Sequence, residues 1–268
     1  MNGVTCLQID AFTDRPFAGN PAAVCLLDGE RDATWMQAVA AEMNLSETAF
    51  VRPLEKGFEL RWFTPTVEVE LCGHATLASA HALWSEGVVE PDTEIRFHSL
   101  SGELTCARRE DFIELDFPAT LVTPAEPSDD LCMALGIEPS WQGKSQYDDL
   151  VLLPSEDALR ALRPDFQRLR ALRSRGVIAT STSNNPRFDF VSRFFAPNAG
   201  IDEDPVTGSA HCALGPFWGE RLGKSEMTAY QASARGGIVH VRVGGDRVFL
   251  KGQAVTVLKG VLADAMPD

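Results

Sequence analysis

This 268-residue chain predicts an α+β fold of two pseudo-symmetric domains, each a curved, mostly antiparallel sheet wrapped around a central helix. Three observations carry that prediction. Strand-like segments are short and mix irregularly with few helices, unlike the regular strand–helix alternation of a doubly wound parallel sheet. An internal echo runs through the sequence: RWFTP (Arg61 to Pro65) is followed eight residues after its proline by GHATLASAHALW, and RFFAP (Arg193 to Pro197) is followed eleven residues after its proline by GSAHCALGPFW. Each copy has an aromatic strand, a proline, an acidic loop, a glycine and a small-residue helix ending near a tryptophan, which reads as a duplicated unit. Both of those helices are dominated by Ala, Ser and Gly. A helix that thin suits the inside of a sheet that curls closely around it, with both helix N-termini expected to point into a shared cleft.

The elements follow in order. VTCLQIDAF and PAAVCLL read as strands, rich in residues that fit a pleated, half-buried surface. TWMQAVAAEMN spaces Trp35, Val39 and Met43 four apart, one stripe of a helix. TAFVR and FELRWF are strand-like. VEVEL alternates Val67, Val69 and Leu71 with acids, the period of a strand with one buried face. At Cys72-Gly73 the pattern changes to a helix carrying Ala75, Leu77, Ala78, Ala82 and Leu83. TEIRFH, ELTCARR and FIELDF return to strands. PATLVTPAEPSDD, with three prolines, is the expected boundary. It assigns residues 1–118 and a C-terminal strand from about 254 to 268 to the first domain, and residues 119–253 to the second. In the second, DDLCMALG and DFQRLRALRSRG read as helices, the latter closed by Gly176 as a C-cap. VIATS, FDFVSRFF, MTAYQAS, GIVHVRV, RVFLKG and AVTVLKG read as strands around the helix of GSAHCALGPFW.

Composition narrows the function. With 44% hydrophobic and 23% charged residues the chain is globular. A formal net charge of −14 argues against broad binding to nucleic-acid phosphates and against adhesion to anionic lipid. The six cysteines form no CxxC pair and no zinc-knuckle spacing. The N-terminal residues lack a basic stretch followed by an apolar one, and no apolar run reaches the roughly 18 residues of a membrane span. A cytoplasmic protein with reduced thiols is the expectation, and no cysteine spacing suggests a metal.

Three polar stations stand near the helix starts: Glu47 in MNLSETAF, His74 in CGHAT, and Asp204 and Ser209 in DEDPVTGSAH. Free N–H groups and the positive dipole end of a helix start offer a seat for a carboxylate. A carboxylate side chain beside a bound acid is suited to proton transfer. Each station also has a structural reading: Glu47 as a turn residue, His74 as a cap, Asp204 and Thr207 as turn chemistry, and Ser209 as a capping hydroxyl. His81 and His211, among alanines, read as packing or surface residues. GERLGKSE lacks the Walker spacing, and no GxSxG elbow occurs.

FAGNPAAVCLL, MNLSETAFV, RWFTPTVEVELCGHATLASAHAL and RFFAPNAGIDEDPVTGSAH, in that order along nearly the whole chain, resemble the phenazine-biosynthesis (PhzF-like) isomerase family. That family shares its fold with diaminopimelate epimerase and is usually a homodimer. The resemblance implies an isomerase without cofactor, acting on a small carboxylate-bearing substrate such as a trans-2,3-dihydro-3-hydroxyanthranilate. It makes Glu47 the general acid/base, gives His74 and Asp204 the task of holding and polarising the substrate, and sets Asn20, Gly73, Thr76, Thr207, Gly208 and Ser209 around it. One departure from the epimerase pattern of two facing thiols stands out. Cys72 occupies the first thiol position, but DPVTGS offers no second thiol and Cys212 lies further on, in the helix. Two alternatives accompany the isomerase: an amino-acid-type epimerase using Cys72, and a small-carboxylate-binding protein without turnover.

Overall fold

In a computed structural model, which describes residues 3–263, the chain divides into two compact units. The first comprises the residues up to Asp116 with those from Lys251 on, and the second is Phe117–Leu250. Residues 264–268, which the sequence places with the terminal strand, lie outside the described residues.

The first unit runs β1 (Val4–Ala11), β2 (Asn20–Leu26), α1 (Ala33–Met43), β3 (Glu47–Pro53), β4 (Phe58–Phe63), β5 (Glu68–Val69), α2 (Gly73–Ser85), β6 (Ile95–Ser99), β7 (Gly102–Arg109) and β8 (Phe112–Pro118). The second runs β9 (Thr123–Pro124), α3 (Asp129–Leu135), β10 (Trp141–Lys144), β11 (Asp148–Leu152), α4 (Glu156–Ala161), α5 (Phe166–Arg170), β12 (Gly176–Thr182), β13 (Phe190–Ala196), β14 (Ile201–Asp204), α6 (Gly208–Leu222), β15 (Glu226–Gln231), β16 (Gly237–Gly244) and β17 (Arg247–Gly252). The last strand, β18 (Ala254–Leu262), returns to the first unit and pairs antiparallel with β1.

Within each unit the pairing follows one plan. In the first, β1–β2 is antiparallel, β2–β3 parallel, β3–β4 antiparallel, β4–β6 parallel, and β6–β7 and β7–β8 antiparallel. In the second, β10–β11 is antiparallel, β11–β12 parallel, β12–β13 antiparallel, β13–β15 parallel and β15–β16 antiparallel. The echo in the sequence is thus a repeated topology of mostly antiparallel strands.

The inner helix of each unit is thin for a packing reason. In α2, Ala75, Leu77, Ala78, Ser79, Ala80 and Ala82 are all buried, and the helix lies against β1, β2, β3 and β18, so the sheet curves around it. In α6 a Cβ on Gly215 would stand 2.9 Å from a Val241 methyl, too near to be accommodated without a shift. Pro216 interrupts the same helix, and lacking an N–H it leaves the Cys212 carbonyl without its helical donor. The backbone N–H of Thr120 fills the gap at 3.0 Å. The other sheet face carries the ordinary amphipathic helices. Met36 and Ala40 of α1 pack on Val4, Ala23 and Phe50; Leu131, Leu135, Leu159 and Leu169 of α3 to α5 pack on Val151, Val177 and Phe195.

The stripe of Trp35, Val39 and Met43 packs half-buried on the core beside the buried Met36 and Ala40. Two sequence expectations change here. VEVEL forms only the two-residue β5, and Val67 is 53% exposed, so alternation with acids there did not mark a buried face. DFQRLRALRSRG is helical only to Arg170, and Gly176 begins β12. Its lack of a side chain serves packing: a Cβ there would meet the Phe194 ring at 2.6 Å and the Phe195 carbonyl oxygen at 2.8 Å.

The echoed arginines explain how the acidic loops hold their shape. Arg61 grips Glu68 through Nε and Nη2 at 2.7 and 2.8 Å, and Arg193 grips Glu203 through the same two nitrogens at 2.7 and 2.8 Å. Each guanidinium also lies over an aromatic ring two residues on, Phe63 at 5.3 Å and Phe195 at 4.9 Å. A two-pronged, half-buried ion pair of this kind fixes orientation as well as distance. It anchors the loop leading to each inner helix. Among the described residues no helix is long and apolar enough to cross a membrane.

Candidate functional site

In the first unit the loop anchored by Glu68 delivers Cys72 as the N-cap of α2, in an extended conformation with no side-chain cap hydrogen bond. His74 therefore sits in the first helical turn and is not a cap. Strand register supplies its neighbours. Glu47 opens β3 opposite Ala22 of the parallel β2, and Asn20 begins that strand two residues earlier. Asn44, left-handed at φ 50, ends α1 and lets the chain turn straight into β3. Gly19, at φ +63, precedes Asn20, and a Cβ there would stand 2.1 Å from the Ala11 carbonyl oxygen. The GN of GNPAA is thus a backbone requirement next to a functional candidate.

Asn20, Glu47, Cys72 and His74 meet at this point. Asn20 Nδ2 lies 3.1 Å from His74 Nδ1, Cys72 Sγ lies 3.5 Å from the same nitrogen, and His74 Nε2 lies 3.2 Å from Glu47 Oε2. With the amide nitrogen of Asn20 facing Nδ1, the amide donates and Nδ1 accepts. That places the ring hydrogen on Nε2, the atom facing Glu47. Burial pushes the His74 imidazolium down to about 3, so the ring is neutral near pH 7. The contact is then an imidazole N–H beside a carboxylate, not an ion pair. The Glu47 side chain keeps 13% of its surface exposed, against 4% for His74. Glu47, Cys72 and His74 bring donor atoms within 4.8 Å of one another. Glu47 and Cys72 nevertheless face opposite nitrogens of one ring, which is a poor arrangement for a single metal ion. Thr76 is fully buried and its hydroxyl donates to the Cys72 carbonyl at 2.5 Å, so it stabilises the helix start from inside.

In the second unit Asp204 is buried at the end of β14, and the Thr207 hydroxyl donates to its Oδ2. Gln231 reinforces this turn, accepting from the Thr207 N–H at 2.9 Å and donating to the Asp204 carbonyl at 2.7 Å. Thr207 is the N-cap of α6, again extended and without a side-chain cap. Ser209, in the first turn with Gly208, is not a cap; its hydroxyl accepts from Arg175 Nη2 at 3.1 Å. His211 is fully buried, stacks on Phe190 and has Nδ1 2.8 Å from the Thr207 carbonyl, the packing role its alanine-rich context suggests. Burial pushes its imidazolium down to about 4. Cys212 is buried in α6 and its thiol is pushed up to about 12 by burial, which disfavours a thiolate there. Arg175 is the site neighbour that sequence reasoning missed. It lies in a basic run read as a helix end, whereas it stands just before β12 and is gripped through two nitrogens by the buried Asp148, at 2.9 and 2.6 Å.

The chain as a whole finds counterparts in known proteins. The profile of a family described as phenazine biosynthesis-like protein, PhzC-PhzF, matches residues 9–260. An uncharacterized isomerase of Halalkalibacterium halodurans is 52% identical over 257 residues, covering 95% of this chain and 96% of the relative. The crystal structure of a PhzF-family phenazine biosynthesis protein from Enterococcus faecalis superposes with a TM-score of 0.93 at 39% identity, covering 97% of this chain and 99% of that one. A predicted epimerase from Pseudomonas aeruginosa shares the fold, with a TM-score of 0.76 at 23% identity over 98% of this chain and all of that one. With the family profile spanning nearly the whole chain and a relative alike at half of its aligned positions, the protein belongs to the phenazine biosynthesis-like (PhzC-PhzF) family of isomerases.

Proposed function

We propose that the chain moves a proton between two carbons of a small carboxylate-bearing substrate of the trans-2,3-dihydro-3-hydroxyanthranilate type, without a cofactor, and that Glu47 is the acid/base. The observation that carries this reading is the Glu47 carboxylate, nearly enclosed and 3.2 Å from the ring nitrogen of a buried, neutral His74. A neutral imidazole donates a hydrogen bond but has no second proton to give near pH 7, so proton capacity at this point rests on the carboxylate. The one N–H of His74 faces Glu47 in this structure, and by resemblance it is the group that polarises the substrate once bound. Asp204 takes the second polarising role by resemblance, its carboxylate held by the Thr207 hydroxyl.

The reaction balances within the substrate. Glu47 takes a proton from a carbon acidified by the conjugated system, charge spreads toward the polarised group, and the same carboxyl returns the proton to a second carbon. One base serving both steps keeps transfer on one face, and limited exposure slows exchange with water. The uncapped first turn of α2, beside Glu47 and His74, is the proposed seat for the carboxylate, where backbone N–H groups and the helix dipole favour an anion. An epimerase reading rests on Cys72, whose sulfur lies 3.5 Å from His74 Nδ1. Against it stands the absence of a second thiol at the start of α6, where Thr207 precedes Gly208.

Glu47→Gln preserves size but cannot shuttle a proton. Turnover of the dihydro-hydroxyanthranilate should fall about 10²–10⁴-fold, while calorimetric binding and the melting temperature stay near wild type. A Glu47→Gln enzyme with normal turnover removes Glu47 from the mechanism. Cys72→Ser, assayed alongside, should keep most activity; a loss as deep as that of Glu47→Gln would favour the epimerase.

The buried imidazoles give a pH signature. His74 and His211 titrate below their unfolded value of about 6.5, so as pH falls the unfolded chain takes up protons that the folded chain refuses. Their contribution is fully present above about pH 6.5 and is lost progressively toward the folded values of about 3 and 4. By pH 5 each should cost about 2 kcal/mol of stability. Urea unfolding at pH 8 and pH 5 should show the loss, and His211→Gln should remove part of it. An unfolding free energy that is the same at both pH values would contradict the neutral buried state.

A further inference from the structure

Ser209, in the first turn of α6, and Arg175, just before β12, each keep a donor hydrogen with no acceptor among the described residues. The Ser209 oxygen accepts from Arg175 Nη2 at 3.1 Å. Arginine carries no acceptor, so the Ser209 hydroxyl hydrogen cannot turn back toward it, and no other partner is found for that half-buried hydroxyl among the described residues. Arg175 is itself fixed. Nε and Nη2 grip the two oxygens of Asp148, whose side chain is 3% exposed, and the guanidinium lies over Tyr147 at 5.3 Å and Phe194 at 5.7 Å. Its remaining nitrogen, Nη1, makes no hydrogen bond to a described residue.

Charge decides what such a group does. The positive charge of Arg175 is matched by Asp148 at contact and by the field of Asp204. It is therefore not a free cation waiting for an anion. What it offers is direction: a rigid planar fork that occupies one lone pair of Ser209 and leaves the hydroxyl hydrogen to point elsewhere. We propose that Arg175, locked by Asp148, is a positioning residue that sets the Ser209 hydroxyl as a donor to an acceptor oxygen of the substrate. This rests on the reading that Ser209 adjoins the substrate. It adds specificity for an oxygen-bearing substrate end, since a donor fixed in advance loses little freedom on binding.

A double-mutant cycle tests it, with anthranilate as the binding probe in calorimetry and the dihydro-hydroxyanthranilate as the turnover substrate. Arg175→Met and Ser209→Ala should each weaken anthranilate roughly ten-fold, and the double variant should bind no worse than either single one, because both remove the same donor. KM should rise with the same coupling. Urea unfolding separates this from a structural role, which would lower stability without coupling the two affinities. Asp148→Asn, which keeps the arginine but loosens the fork, should show the same weakening and serves if Arg175→Met does not fold. Independent, additive losses, or an Arg175→Met protein with wild-type affinity, would overturn the inference. Failure of the wild-type chain to bind anthranilate would overturn it together with the reading beneath it. Glu47→Gln tells the two apart. If that variant is inactive and the cycle is additive, only the role of Arg175 falls. If it is fully active and the cycle is coupled, Arg175 stands and the acid/base assignment falls.

Discussion

A helix that a sheet must enclose has to be thin, and that constraint organises each unit of this protein. Ala75, Ala78, Ala80 and Ala82 leave α2 slim enough for β1, β2, β3 and β18 to lie against it. Enclosure fixes where the helix begins relative to the strands. β2 and β3 are parallel, so the ends that carry Asn20 and Glu47 arrive together, next to the first turn that carries His74. The polar cluster is thus a consequence of register and helix girth before any side chain chooses a partner. The same logic in the second unit sets Gly215 against Val241 and brings Asp204, Thr207 and Ser209 to the start of α6.

Enclosure alone would leave the helix starts on loose acidic loops, and the paired arginines answer that. Arg61–Glu68 and Arg193–Glu203 repeat one geometry to within 0.1 Å in both prongs. Exposed ion pairs contribute little to stability. These are half-buried or deeper and two-pronged, and each stacks on an aromatic ring, which makes them devices for direction. Downstream of each, a short polar network finishes the work: Asn20–His74–Glu47 in one unit, Gln231–Thr207–Asp204 in the other.

Much of this was legible in the residues, and the failures have physical causes. The echo of RWFTP and RFFAP marked the duplication because it encodes a clamp that both halves need. The thin helices were visible because girth is composition. Glu47, His74 and Asp204 could be picked out as polar residues near helix starts, but their structural readings could not be dismissed, since hydrogen-bond partners come from distant strands. Resemblance to a family, not spacing, supplied their roles. Residues between Gly136 and Asp165 gave no reading because β10 has four residues and α4 six, too short to show a period. Arg175 was hidden for a different reason. A run of basic residues before a glycine imitates a helix C-terminus, and only the parallel pairing of β11 with β12, which sets Asp148 opposite Gly176, reveals an arginine placed to grip that carboxylate.

The central claim is that a single enclosed carboxylate both removes and returns the proton. The most direct measurement follows the atom itself: turnover of a dihydro-hydroxyanthranilate carrying deuterium at the donor carbon, in ordinary water, with the product read by mass spectrometry and NMR. The account predicts that a substantial fraction of the deuterium appears at the acceptor carbon of the product, on the same face of the ring. Product whose acceptor carbon carries only solvent hydrogen from the first turnovers onward, or label delivered to the opposite face, would contradict a one-base transfer by Glu47.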